Sequence, residues 1–459
     1  MTARAGGEAP PDGETGAELR ARALAAQKAG RAAEAQALWR AHLAEAPDDA
    51  GAWANLGALL RRAGAHDAAA LHHRRAAELL PGDARILANL ANALADADRT
   101  AEALDARRAA AALRPDDPAF HAALIGALRA DGRHAAAARA LEQARARWPQ
   151  DRGIAAETAR AALAAMDWAG AVQALARARP EGVAAAPRKD GADGPIHVIP
   201  EGGASELLLA ARALPAAAAR LGALRLPCPI AWQGTLARAL AGAPVSFCAP
   251  DEAAPPGAPL VPLLDLLALP GAEGGTPPPP LDLAPPGADA PPAREGRPLR
   301  VGLLWNPEGA ARRAPPLGGF AALAETPGIR LFNLSPGPAA VELERSAWAA
   351  LIPNAPPLDA PPPGAAQGAG FDELLRAAAG MDAVVAAECA EAHAVASIAD
   401  GPPVFTLVPA DAGWALAGES DRTPWHETMR VIRRAPGADW RDAITETRAR
   451  LSRLARRRG

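Results

Sequence analysis

The sequence predicts an all-α solenoid of helical hairpins followed by an α/β region made of two parallel-sheet units. Three observations carry that prediction. Residue columns repeat every 34 positions through the first third of the chain. Near residue 195 the apolar pattern changes to short β-type runs alternating with Ala-rich helical runs. A Pro/Gly-rich stretch, about Pro255 to Pro298, divides this second half of the chain.

The repeat is read from several columns at once. Pro47, Pro81, Pro115 and Pro149 stand 34 residues apart, as do Asp49, Asp83, Asp117 and Asp151. Ala35, Ala69, Ala103 and Ala137 keep the same step, and so do Ala76, Ala110 and Ala144. Leu56, Leu90 and Leu124 recur in the first helix of each unit, near Trp53 and Leu87. This is the tetratricopeptide (TPR) period, two helices per unit. Gly30, Gly64 and Gly132 mark the turn inside a hairpin. Small Ala side chains let its helices approach, and Leu and Trp fill the gap to the next unit. Pro ends the second helix and Asp caps the next one. A fifth, eroded unit from about Gly153 to Arg179, with Met166-Asp167 at its turn, reads as a capping repeat.

Such stacks present a groove to a protein or peptide, and partner binding is the expectation; a spacer or dimerisation arm is the other reading. Trp39 and the pair His72-His73 lie on second helices, where they serve either as groove contacts or in ordinary packing.

Composition excludes several classes. The 459 residues suffice for two or three domains, and half of them are apolar. A net charge of −3 argues against a nucleic-acid-binding protein. The basic run Arg450, Arg453, Arg456, Arg457, Arg458 reads as a solvated helix end that suits the dipole. Cys228, Cys248 and Cys389 are far apart and have no metal-ligand spacing, so reduced thiols are expected. No clustered His or carboxylates suggest a metal, and no cofactor is expected. The first residues, MTARAGGEAPPDGETG, have no signal-peptide core. The richest apolar stretch, Leu207 to Leu226, is broken by Arg212, Pro215, Arg220 and Arg225 and is no membrane span. A soluble, cytoplasmic protein is the expectation.

The second half supplies seven β-type runs: 196–200, 245–248, 299–305, 329–334, 382–387, 403–408 and 429–434. Their alternation with helical runs implies parallel sheets covered by helices. Two open α/β units across a cleft are expected, with ligands at the carboxyl ends of strands.

Four segments then carry a resemblance. EGGASELLLAARALP (201–215) resembles the E-Q-G-L-G-D-x-x-Q-F-A-R-Y-L-P segment of bacterial proteins that join TPR repeats to a glycosyltransferase-like domain. RVGLLWNPEGAARR (300–313) resembles their R-V-G-L-x-W-x-G-N-P followed by basic residues. AAECAEAHAVASIADGPPVF (386–405) resembles their V-D-T-A-V-A-H strand-helix-strand. TPWHETMRVIRRAPGADWRDAI (423–444) resembles S-P-W-Y-P-x-M-R-L-F-R-Q with a trailing D-W. That domain is related to lipopolysaccharide heptosyltransferases and, more distantly, to O-GlcNAc transferase. The resemblance implies two Rossmann-like domains in a GT-B arrangement, with a nucleotide sugar in the cleft. With the repeat period and the composition shift, the chain is expected to divide into a disordered tail (1–16), TPR repeats (17–180) and a linker (181–194), and the resemblance adds an N-terminal Rossmann-like half (195–290) and a C-terminal, donor-side half (297–459).

Sugar transfer needs a base for the acceptor proton, neutralisation of the leaving diphosphate, and positioning. The resemblance puts Glu206 at the base position, where the family has Asp; otherwise Glu206 simply opens a helix. The extra methylene matters, since a misplacement of about 1 Å can cost on the order of 100-fold in rate. Arg312 and Arg313 are the candidates for the diphosphate, or else a solvated basic loop. Glu388 replaces the family's Asp, and Cys389 its Thr. His393 is retained, as a donor contact or a satisfied helix histidine. Ala394 stands where the family has Gly, obstructing close approach of a phosphate, and Ser397 offers a hydroxyl instead. Trp425 reads as a packing anchor.

Scaffold positions persist (Pro215, Trp305, Pro424, Trp425, Met429, Trp440) while ligand-facing ones drift. Three functions fit. One is a glycosyltransferase acting on a protein or glycan acceptor that the repeats recruit. Another is a non-catalytic adaptor whose second half is a degenerate scaffold. The third is a phosphate-ligand sensor that binds nucleotide without turnover.

Overall fold

The computed structural model describes residues 15–457 except 166, 168–169, 172, 175–176, 178–193, 201–203, 251, 264–265, 267–278, 286–296, 306–313, 356–368, 411–415, 417–419, 424 and 436–437. The tail and linker expected from the sequence lie almost wholly outside the described residues. The chain forms two compact units, Met1–Ala144 and Arg145–Gly459.

In the first unit the first helices of the hairpins are α1 (Gly16–Lys28), α3 (Ala50–Arg62), α5 (Ala84–Asp96) and α7 (Pro118–Ala130), which start at 34-residue intervals. The second helices, α2 (Ala32–Glu45), α4 (His66–Leu79), α6 (Thr100–Leu113) and α8 (His134–Arg147), do the same. The unit is therefore a TPR-type stack.

Each column of the sequence has a visible physical job. Asp49, Asp83 and Asp117 accept hydrogen bonds from the backbone N–H groups of Ala52, Arg85 and Ala119 at 3.0, 2.8 and 3.0 Å. Thr15 holds the same column one repeat earlier and forms a reciprocal cap with Glu18. Gly30, Gly64 and Gly132 adopt φ of 73, 78 and 74°. The intervening turn carries Asp98, held in the same left-handed region at φ 59°. Ala35, Ala69 and Ala103 are buried where paired helices touch. Gly57 lets α3 approach still closer, since a Cβ there would sit 2.9 Å from His73 Nε2.

The second unit opens with α9 (Arg152–Ala164), capped by Asp151 at 2.9 Å. Its α/β part contains two sheets. The first has β1 (Ile196–Ile199), β2 (Leu224–Pro227), β3 (Val245–Cys248) and β4 (Leu260–Pro262), all parallel, in the order β3-β2-β1-β4. Its helices are α10 (Ala204–Ala211), α11 (Leu214–Leu221) and α12 (Ile230–Ala239).

The second sheet has β5 (Leu299–Leu304), β6 (Ile329–Asn333), β7 (Ala383–Ala387), β8 (Val404–Val408), β9 (Arg422–Thr423) and β10 (His426–Arg433) in the order β6-β5-β7-β8-β10-β9. Only the β9–β10 pair in it is antiparallel. Its helices are α13 (Leu317–Ala321), α14 (Gly337–Arg345), α15 (Ala369–Ala379), α16 (Ala390–Val395) and α17 (Arg441–Arg456). β7 and β8 are buried along their whole length, which is why they read as unbroken apolar runs.

All seven expected strands form. The sequence reading missed β2, β4 and β9, which are two to four residues long; β2 and β4 end on Pro, a residue that lowers any strand expectation.

The two α/β halves share one hydrophobic core: Leu226, Trp232 and Val261 are contiguous with Val384, Val404 and Trp425. Leu163 and Ala171 of the fifth hairpin belong to the same core. So does Leu283 of the Pro-rich divider, buried to 2% exposure. A separate core fills the opposite face of the second sheet beneath α17, around Phe320, Leu323, Phe405 and Leu451. Among the described residues no helix is long and apolar enough to cross a membrane.

Candidate functional site

Strand order reverses beside β1 in the first sheet and between β5 and β7 in the second. Crevices for ligands form outside the carboxyl ends of strands at such points. The residues nominated by the sequence come after these strands. Glu206 sits in the first turn of α10, after β1, and is half-buried. Glu388, also half-buried, succeeds β7 and faces Arg433 electrostatically. Arg312 and Arg313 come after β5 and lie outside the described residues. His393 is on α16 and Ser397 just beyond it.

His393 is 1% exposed and enters the joint between the two α/β halves. Its Nδ1 stands 3.1 Å from Nε2 of His426, the first residue of β10. Arg212, from the end of the α10 segment, reaches the same place. Its Nη2 donates to the Trp425 carbonyl at 3.0 Å, and its guanidinium lies 5.1 Å from the Trp425 ring. Burial, helped by Arg212, pushes the His393 imidazole down to about 4. Burial, His393 and Arg212 together hold His426 well below the usual histidine range. Arg212 itself is pushed down to about 10 by burial. Trp425 is a packing anchor, 1% exposed. Ser397 donates its hydroxyl to the His393 carbonyl at 2.9 Å.

A second seam joins α12 to α15. Arg238 donates to both carboxylate oxygens of Asp372 at 2.8 and 3.0 Å, and Thr235 Oγ1 donates at 2.6 Å. Trp232 stacks on Phe371 with centroids 5.2 Å apart. The Pro-rich divider closes a third. Leu283 N–H donates to the Ser397 carbonyl at 3.1 Å, and Asp282 accepts from Ala399 N–H at 3.1 Å.

The cysteines are buried and free of disulfides. Burial raises Cys228 to about 12 and pushes Cys389 up as well, so neither is poised as a nucleophile. Among the described residues no group of three His, Cys, Asp or Glu could hold a metal ion.

On the repeats, Trp39 is fully buried and donates to Gln27 at 3.2 Å. His73 is buried under Gly57, and His72 lies beside Trp53 with ring centroids 5.3 Å apart. The unburied stripe is elsewhere. Gly51, Asn55, Ala58 and Arg62 recur at i, i+4, i+7 and i+11 on α3; Arg85, Asn89, Asn92 and Asp96 repeat those columns on α5. The helices α3 and α5 are in direct contact.

Sequence reasoning missed Arg212, His426, Arg238 and Asp372 as a group. Arg212 alone left a signal, an ionisable residue inside the otherwise apolar run from Leu207 to Leu214. The others are joined only across more than 30 residues of chain.

Comparison with models of protein families finds no match, and comparison with curated proteins finds none. Among solved structures, the helical repeats are similar to those of TPR proteins. MamA AMB-1 is 26% identical over 28% of this chain and 71% of its own, with a TM-score of 0.27. Another MamA structure is 18% identical over 36% of this chain and 89% of its own, with a TM-score of 0.32. YrrB, described as a TPR protein with an unusual peptide-binding site, is 14% identical over 36% and 84%, with a TM-score of 0.31.

Proposed function

We propose that this chain is a protein-interaction adaptor: its hairpins hold a protein or peptide, and its α/β part is a scaffold. The observation that carries this reading is the unburied stripe in register on adjacent first helices, where Asn55 on α3 is repeated by Asn89 on α5; further along the stripe Arg62 is succeeded by Asp96, which is paired with Arg61. A surface that repeats polar groups at one spacing suits an extended chain, whose backbone groups also repeat. Burial of His393 in the shared core fits a scaffold, because a donor contact there would require α10 to part from α16. A photo-crosslinking residue at position 58 tests the reading. The crosslinked partner should disappear when Arg62→Glu and Asn89→Arg are combined, and persist in Glu206→Gln. Persistence in the former, or loss in the latter, overturns it.

A second reading is favoured by one specific observation. Glu206, Glu388 and residues 306–313 all come after the carboxyl ends of strands at a reversal of strand order. In that reading the halves are Rossmann-like, the arrangement is GT-B, and a nucleotide sugar is the donor, with Glu206 as base and Arg312, Arg313, Glu388, His393 and Ser397 toward the donor. Calorimetry with a panel of nucleotide sugars decides it: no heat at millimolar concentration removes the enzyme.

A further inference from the structure

The basic run at the end of α17 is exposed at Arg453, Arg456 and Arg457, as a solvated helix end is, and it also borders a groove. Arg450, Arg453, Leu454 and Arg457 fall at i, i+3, i+4 and i+7, so they share one helix face. That face forms one wall of a groove of about 460 Å³. Arg430 of β10 lines it too, and Pro403 and Phe405 give it an apolar side. The lining holds four guanidinium groups and one carboxylate, Asp421; a second carboxylate, Glu446, stands beside it, 2.7 Å from Arg450 and 3.8 Å from Arg453.

Two features show that this charge is organised. Arg450 is fixed by Asp421 at 3.0 Å and by Glu446 at 2.7 Å, which holds its guanidinium in place at the groove. Arg430 stands directly opposite Arg422 in the β9–β10 ladder. Like charges facing across a strand pair are unfavourable, and a bound anion would relieve the repulsion. The tight loop at the rim is shaped as well: Asp400 adopts φ 53°, and a Cβ on Gly401 would sit 2.9 Å from the Ile398 carbonyl oxygen.

We propose that this groove binds a small phosphate-bearing ligand, a phosphomonoester or diphosphate, with Arg430, Arg453 and Arg457 on its oxygens and Phe405 and Leu454 against its apolar part. Guanidinium groups match phosphate geometry through paired N–H donors. The site is separate from the crevice at the carboxyl ends of the strands. Gly401 and Pro403 precede β8, Phe405 is its second residue, and Arg430 pairs with Phe405, so the groove lies toward the amino-terminal end of β8, whereas Glu388 comes after the carboxyl end of β7.

The test is calorimetry of the full chain with inorganic pyrophosphate and inorganic phosphate at low salt. Saturable binding is expected, weakened at least tenfold by Arg453→Gln with Arg457→Gln, and also by Arg430→Gln. Circular dichroism confirms that each variant is folded. Arg441→Gln, on the same helix but 89% exposed and outside the groove, should change nothing. Absence of binding at millimolar concentration overturns the proposal. So does equal weakening by Arg441→Gln, which would mean diffuse surface attraction. Binding of a short RNA or of anionic vesicles that pyrophosphate does not displace overturns it too, because the groove would then serve a macromolecule.

Discussion

Arg238 and Asp372 meet through two hydrogen bonds and tie α12 of the first sheet to α15 of the second. The pair matters because it sits beside the Trp232–Phe371 stack, at the seam of the shared core. Burial alone would raise the Asp372 carboxyl, but the bonds from Arg238 and Thr235 outweigh it and hold it below the usual carboxylate range. Asp372→Ala leaves Arg238 and Thr235 without their acceptor. It should lower stability by about 1–3 kcal/mol, read as a shift of the urea midpoint. Asp372→Glu should recover part of that loss.

Acid should weaken the same body through His393 and His426. Both imidazoles are held below their ordinary value of 6.5, His393 at about 4. The unfolded chain therefore binds more protons between these limits. Stability is fully present above about pH 6.5 and is lost as pH falls toward 4, by roughly 3 kcal/mol for His393 alone. The thermal midpoint measured from pH 8 to 4.5 should fall within that window. A midpoint flat down to pH 4.5 would show that the pair does not titrate with unfolding.

Gly302 lies in β5 with no room for a side chain. A Cβ there would stand 2.2 Å from Leu334 Cδ1 and 3.1 Å from Met381 Cγ, both within the core. Gly302→Ala should cost about 1–3 kcal/mol through overpacking. Paired Leu334→Ala should restore part of it, since the added methyl then has space.

The capping column makes a graded prediction in the repeats. Asp117 caps α7 through Ala119 N–H. Asp49 caps α3 and also sits 3.0 Å from His42 Nε2 and 3.5 Å from Arg20. Asp117→Ala should therefore cost about 1 kcal/mol and Asp49→Ala somewhat more. Thermal melts followed by helix ellipticity would rank the two; equal losses would mean that the His42 contact contributes nothing.

Much of the fold could be read from one sequence because the interactions are local. The 34-residue spacing of Pro, Asp and Ala requires only neighbouring turns to form caps, breaks and close helix contacts, and α3, α5, α7 and α9 each start at the residue after the Asp that caps them. The strands Val245–Cys248 and Val404–Val408 were legible for the same reason, as apolar runs bounded by Pro. Strands as short as Leu260–Pro262 were not, because three residues carry no period.

The sequence by itself determined the helical repeats, the change to α/β structure and the residues at the ends of the strands. Only the tertiary structure decided what surrounds them. His393 was legible as a residue but not as half of a buried imidazole pair, because His426 reaches it from 33 residues away through the order β7-β8-β10. The Arg face of α17 was legible as charge, but it became a groove only when β8 and β10 supplied Phe405 and Arg430 opposite it. Caps and periods are set within a few turns of chain, whereas burial and pockets depend on which distant surfaces meet.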